Sequence, residues 1–172
     1  MGVRRVAAVG LVVGGALAAA APFVPWFRVE TSTGVAATET LVATSYGSFM
    51  TFLGLVAVVC GVAQLRRWES WSGWAVIGAV AMVFVLAAGL RGALDPLGAA
   101  KESLRPSSLV VDEAGVATGR RYRERVRAAF DRGSLHADPR VGGWMAGAGG
   151  TVGLAGSLPR LIARRTRVGA PR

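Results

Sequence analysis

Cysteine, histidine and lysine are almost missing from this chain of 172 residues, which carries one of each: Cys60, His136 and Lys101. A single thiol excludes an intramolecular disulfide and any cysteine-based metal cluster. Zinc-binding helix motifs, phosphate-cradling glycine loops and dinucleotide fingerprints are absent as well, so no cofactor or metal site is expected. Charge is missing where it would matter most. Four apolar blocks, near residues 6–25, 46–65, 74–94 and 141–163, contain no Asp, Glu, Lys or His at their centres. Ionisable groups inside a bilayer are costly and are kept for function, so their absence argues against a proton relay or a coupled-ion site.

Nor do catalytic side chains converge in sequence. Ser134, His136 and Asp138 make a triad on paper, but no nucleophile elbow accompanies them. A surface histidine is the better reading. Asp112-Glu113 reads as the start of a turn or helix rather than as an acid–base pair. No catalytic residue is assigned, and the chain reads as non-enzymatic.

What the sequence does have is apolar length. Hydrophobic residues make up 52% and charged residues 17%, and the excess is gathered in the four blocks instead of being spread through the chain. That pattern argues for membrane spans over a greasy soluble core. Twenty helical residues at ~1.5 Å each cover about 30 Å, the hydrocarbon thickness of a bilayer. Tyr46–Leu65 and Trp74–Leu94, joined by Arg66-Arg67-Trp68-Glu69-Ser70-Trp71-Ser72-Gly73, therefore read as a transmembrane hairpin. The expected fold is an all-α membrane protein, one domain over 1–172. It is a bundle of four transmembrane helices with two outward loops, the second (96–140) with room for an amphipathic helix and some β structure, and a basic tail at 164–172.

The first block competes with a signal peptide, since Met1–Arg5 is basic and Ala16–Ala21 offers small-residue cleavage sites. Its continuation through Phe23, Val24, Trp26 and Phe27 favours a retained span. Pro22 and Pro25 mark its end, because proline lacks a backbone donor and disfavours helix before it. The loop 27–45 reads equally as a short hairpin, turning at Ser32-Thr33-Gly34, or as plain loop. All five tryptophans (Trp26, Trp68, Trp71, Trp74 and Trp144) fall at block edges and are expected as interfacial anchors.

Small residues supply the expected packing faces. Gly47, Gly54 and Gly61 recur every seven residues, while Gly10/Gly14, Gly143/Gly147 and Gly149/Gly153 have GxxxG spacing. Such stripes let neighbouring helices approach closely. Asp95-Pro96 is expected to stop the third helix, and Arg91 to snorkel to the interface. In the second loop Tyr122, Val126 and Phe130 recur every four residues among Arg120, Arg121, Arg123, Arg125 and Arg127. This is a basic amphipathic helix. It reads equally as lying on anionic headgroups or as packing on the rest of its own loop, and a partner contact there is open.

The formal net charge is +10, carried by nineteen arginines and one lysine. With no base-reading module around the arginine run, no nucleic-acid partner is expected. Arginines flanking spans instead serve topology. Basic residues in the short segments around Arg4, Arg66, Arg67 and Arg160–Arg172 place both termini in the cytoplasm. The Arg-over-Lys bias together with Ala, Gly and Val richness suggests a GC-rich genome, hence a bacterial inner membrane. An Arg-flanked first span ending in Pro22…Pro25-Trp26, three more spans and a length near 170 residues resemble small four-span membrane proteins of actinobacteria. Among these is an uncharacterised group associated with tryptophan-biosynthesis genes. The long charged loop after Leu94 departs from that layout, and the resemblance implies no activity and no catalytic residues.

Two functions follow as expectations. The first is an accessory or scaffold subunit that packs, within the bilayer, against a partner membrane protein or another copy of itself. The alternative is a small-molecule or lipid-handling protein with a cavity between the spans, lined by polar groups such as Ser48, Thr51 or Gln64.

Overall fold

The computed structural model describes residues 3–32, 34–42, 44–66, 73–103 and 119–168, with side chains at all of these except 3, 4, 103, 119–123 and 158–168. The chain runs α1 (Val3–Ala20), a 3-10 turn (Ala21–Phe23), β1 (Pro25–Thr31), β2 (Ala36–Thr40), α2 (Ser45–Leu65) and α3 (Trp74–Leu94). It continues through α4 (Pro96–Ser103), α5 (Gly119–Asp131), β3 (Leu135–Pro139) and α6 (Val141–Val168).

The four long helices pack in a ring. α1 lies between α2 and α6, and α3 lies between the same two on the opposite side. Three helical segments are long and apolar enough to cross a bilayer: Arg5–Phe23, Ser45–Leu65 and Trp74–Leu94. The fourth expected span falls on α6, which is longer at 28 residues. Its seven glycines between 142 and 156 add no apolar side chain, so length rather than hydropathy commends it.

Close approach of backbones makes the ring. A Cβ on Gly54 would stand 2.5 Å from the Ala19 amide nitrogen and 2.7 Å from the Gly15 carbonyl, so α2 lies directly on α1. Across the other side of α1, a Cβ on Gly14 would meet the Gly149 carbonyl at 2.5 Å and the Gly153 nitrogen at 2.6 Å. Lipid gives helices no hydrophobic reason to associate, so such contacts, dense in dispersion and free of side-chain entropy cost, supply the attraction. Leu11, Met50, Met82 and Val85 fill what space remains in the middle.

The first loop is the hairpin rather than plain loop. β1 and β2 pair antiparallel, and Thr31 closes the turn by donating its backbone N–H to the Val35 carbonyl at 2.9 Å. Gly34 adopts φ 84°, a left-handed conformation that glycine takes without strain. The third strand comes from the other loop. β3 adds to β1 antiparallel, giving the order β2-β1-β3 and joining two segments between the long helices in one sheet at one end of the bundle.

A tight corner connects the sheet to α2. Thr44 caps the helix by accepting the Gly47 N–H at 2.9 Å, and its hydroxyl donates to the Leu41 carbonyl at 2.7 Å. Gly47 is glycine because the Leu41 carbonyl fills the place of its Cβ, so this glycine serves the corner and not a helix–helix contact. Thr44→Ala removes both bonds. It is expected to cost about 1 kcal/mol, read as a lowered thermal midpoint in detergent.

Asp95-Pro96 stops α3 and also starts α4: the Asp95 carboxylate accepts the Gly98 N–H at 2.9 Å, with proline in the first turn of the new helix. At its far end α5 terminates on Gly133, φ 74°, with Ser134 N–H donating to the Ala129 carbonyl at 3.0 Å. That reversal aims the chain back along β1.

Candidate functional site

Two surfaces carry polar chemistry: the face of the sheet, and the upper end of the seam between α2 and α3. Both depend on Trp26. β1 has an irregularity between Pro25 and Phe27, where Trp26 is the extra residue facing β2. Such a bulge re-aims one side chain. Here it turns the Trp26 ring out of the sheet and against Gly92 of α3 and Gly142 of α6, whose missing side chains make the slot. Only 1% of Trp26 is exposed, and its indole N–H donates to the Ala21 carbonyl at 2.7 Å. The expectation of an interfacial anchor therefore gives way to a buried bolt between sheet and helices. The interface would have satisfied the indole with water or lipid; here a carbonyl of the 3-10 turn after α1, which also accepts the Val24 N–H at 3.4 Å, does so.

With Phe27, Val29, Thr31 and Leu135 buried, the opposite sheet face is left polar. Register puts Arg28 between Thr38 and Asp138, and Glu30 between Ala36 and His136. Arg28 and Glu30 also form a loose ion pair at 3.7 Å. His136 and Asp138 share this exposed face, but the Ser134 hydroxyl donates to the Ala129 carbonyl at 2.9 Å, so the paper triad is not assembled. Among the described residues no group of three His, Cys, Asp or Glu side chains is placed to hold a metal. β2 and β3 are the two edge strands of the sheet.

The amphipathic helix resolves toward its own loop. Val126, Ala129 and Phe130 are buried and join Ala100 of α4 and Leu135 of β3 in the same hydrophobic cluster as the centre of the bundle. Lys101 of α4 and Asp131 of α5 are paired at 2.5 Å, which pins one helix to the other. Arg127 is exposed on the far side, while the side chains of Arg120, Arg121, Tyr122 and Arg123 lie outside the described residues. Val126 and Phe130 are consequently not free to dip into headgroups. Phe130→Ala is expected to cost about 3–5 kcal/mol locally. Limited proteolysis should then cut within Gly119–Asp131 while the long helices survive.

The seam between α2 and α3 forms a groove of about 240 Å³ at the sheet end, lined by Tyr46, Phe49, Met50, Leu53, Phe84, Ala87, Ala88 and Arg91. Tyr46 is held edge-on to Trp26, centroids 6.2 Å apart at 88°. Arg91 does not simply snorkel: its Nη2 donates to Glu102 Oε1 of α4 at 2.8 Å. Towards the other end of the seam lies a second groove, of about 330 Å³ and almost wholly apolar, with Phe52, Leu55, Val59 and Trp74 in its lining. Tyr46, Arg91 and Glu102 were not singled out as a group by sequence. The available signal was Asp95-Pro96, which opens a helix and so brings Glu102 back over the end of α3.

The remaining named residues fall as follows. Gly61 backs onto Ala8 and Val12 of α1, and Gly10 onto Gly156 of α6. Gly143 faces Gly89, Gly92 and Ala93 of α3, Gly149 faces Gly14 and Leu17 of α1, and Gly153 accommodates Met82. Gly147 differs: a Cβ there meets nothing within 4 Å, although its backbone nitrogen lies against Gly89. Trp144 is exposed and Trp74 half-buried, while Trp68 and Trp71 lie outside the described residues. The hydroxyls of Ser48 and Thr51 donate to the Thr44 and Gly47 carbonyls of their own helix, and so do not point their hydrogen-bonding capacity into a cavity. No family model matches this chain, and neither does any curated protein or solved structure.

Proposed function

We propose that the chain is a four-span integral membrane protein acting as a non-enzymatic accessory or scaffold subunit, with α6 as the fourth span. It belongs, on this reading, to the bacterial inner membrane, with both termini cytoplasmic and the sheet on the opposite side. The observation that carries it is the sheet itself. Two segments far apart in sequence are joined by backbone pairing into one rigid cap, bolted to the helices by Trp26, with a polar face and an open edge strand. Effort of this kind in a small protein makes a presented surface, since loops that only connect helices need no shared sheet. The spans offer little else for chemistry, because the hydroxyls of Ser48, Thr51, Thr151 and Ser157 donate to backbone carbonyls and the described charges sit at the ends.

The partner is another membrane protein or a second copy of this chain. A photo-crosslinking residue at Thr38, on the exposed face of β2, should capture it in intact membranes, and mild-detergent extraction should co-purify the same species. A monomer in native mass spectrometry with no crosslink at Thr38 would overturn the reading. A periplasm-active reporter fused after Arg172 should be silent, and the same reporter inserted at Gly34 active.

A further inference from the structure

We infer that the groove at the sheet end of the α2–α3 seam binds a phospholipid whose headgroup carries both a phosphate and a primary ammonium. The inference rests on α2 and α3 crossing the bilayer, as proposed above. The groove is built like a lipid site with one polar end. Phe49, Leu53 and Phe84 supply an apolar wall for an acyl chain, and Tyr46 and Arg91 stand where the helices leave the hydrocarbon. Both helices end within a few residues of that level, α2 beginning at Ser45 and α3 ending at Leu94. An interfacial headgroup therefore meets these side chains at its own depth.

Charge decides which headgroup. An isolated arginine at this level would take any anionic lipid. Arg91 is not isolated: its contact with Glu102 leaves a positive and a negative group side by side, each about half exposed (52% and 54%) and each with hydrogen-bonding capacity to spare. The complement of such a pair is a headgroup with the same two charges in reverse, phosphate on the guanidinium and ammonium on the carboxylate. A glycerol headgroup brings a phosphate but sets no cation against Glu102. A choline headgroup brings a cation whose three methyl groups leave no N–H to donate. A primary ammonium satisfies both. Tyr46, held against buried Trp26, keeps one wall of the polar end in place.

The test uses the full chain in nanodiscs of equal parts phosphatidylethanolamine, phosphatidylglycerol and phosphatidylcholine with identical acyl chains. The protein is then released in mild detergent for native mass spectrometry. Wild type should retain the ethanolamine lipid about tenfold over either competitor, the ratio expected of one charge-assisted hydrogen bond. Arg91→Gln should abolish the preference. Glu102→Gln should redirect it to phosphatidylglycerol, because the guanidinium is then left to a simple anion. Ala87→Phe, which fills the groove from an exposed position, should lower retention of all three lipids while sparing the charged pair. Equal retention by wild type, a wild-type preference for phosphatidylglycerol, or indifference to Arg91→Gln would overturn the assignment. A chain washed from membranes by carbonate would instead overturn the membrane reading beneath it.

Discussion

Gly54→Leu should leave almost no folded protein in the membrane fraction, whereas Gly147→Ala should leave it unchanged. The two glycines look alike in sequence, each on a stripe of small residues. They differ in what lies beyond the missing side chain. Any Cβ at Gly54 collides with backbone on α1, the Ala19 nitrogen at 2.5 Å and the Gly15 carbonyl at 2.7 Å. Backbone cannot rotate away as a side-chain end can, so α1 and α2 must separate along their length. The cost is expected at about 3 kcal/mol, the upper end for overpacking. It spreads, because separation also withdraws the contacts that substitute for hydrophobic attraction in lipid. At Gly147 the added methyl meets open space, and better helix propensity offsets what small disturbance it makes, leaving stability within about 1 kcal/mol of wild type. Detergent melting of the two variants side by side measures the difference. If Gly54→Leu melts with wild type, the approach of α1 and α2 at Gly54 does not hold the two helices together.

Trp26→Ala is expected to separate the cap from the helices. The indole fills the slot left by Gly92 and Gly142, is 1% exposed and bonds the Ala21 carbonyl. Deleting a buried aromatic of this size costs about 3–5 kcal/mol, and the indole–carbonyl hydrogen bond is lost with it. The loss should be local first. Hydrogen exchange over Pro25–Thr40 and Leu135–Pro139 should accelerate by orders of magnitude before the long helices lose protection. Trp26→Phe keeps much of the ring volume and forfeits the hydrogen bond, so it should fall between wild type and Trp26→Ala. Equal protection in wild type and Trp26→Ala would show that the sheet stands without its bolt.

The long helices were legible in sequence because hydropathy over twenty residues is a strong and local signal; Tyr46–Leu65 and Trp74–Leu94 differ from the observed α2 and α3 by one residue at most. Asp95-Pro96 was read as a stop and proved a stop and a start, since the same aspartate that ends one helix can cap the next. The hairpin at 25–40 was half legible: its turn residues were visible, its pairing was not. β3 was the least legible element. Leu135–Pro139 is five residues with a proline, a histidine and an aspartate, and its strand character comes from β1, a partner more than a hundred residues away. Trp26 misled for a related reason. A tryptophan after an apolar block belongs at a membrane interface unless glycines elsewhere leave it a slot, and Gly92 and Gly142 give no sign of that role from their own neighbourhoods. The candidate groove was hidden because the Arg91–Glu102 pair depends on where α4 turns.

The central position of β1 has a consequence for synthesis. β2 reaches it almost at once, through a four-residue turn, but β3 lies 104 residues beyond, from Thr31 to Leu135. At ribosomal speeds of about 5–20 residues per second, one edge of β1 waits roughly 5–20 s for its permanent neighbour. During that wait α1 also lacks α6, so the glycines facing it have lipid or another helix to contend with. The nascent chain is thus a three-helix intermediate with an unfinished sheet. A mutation that slows arrival of β3 would act on yield during biogenesis, even where it leaves the finished molecule equally stable.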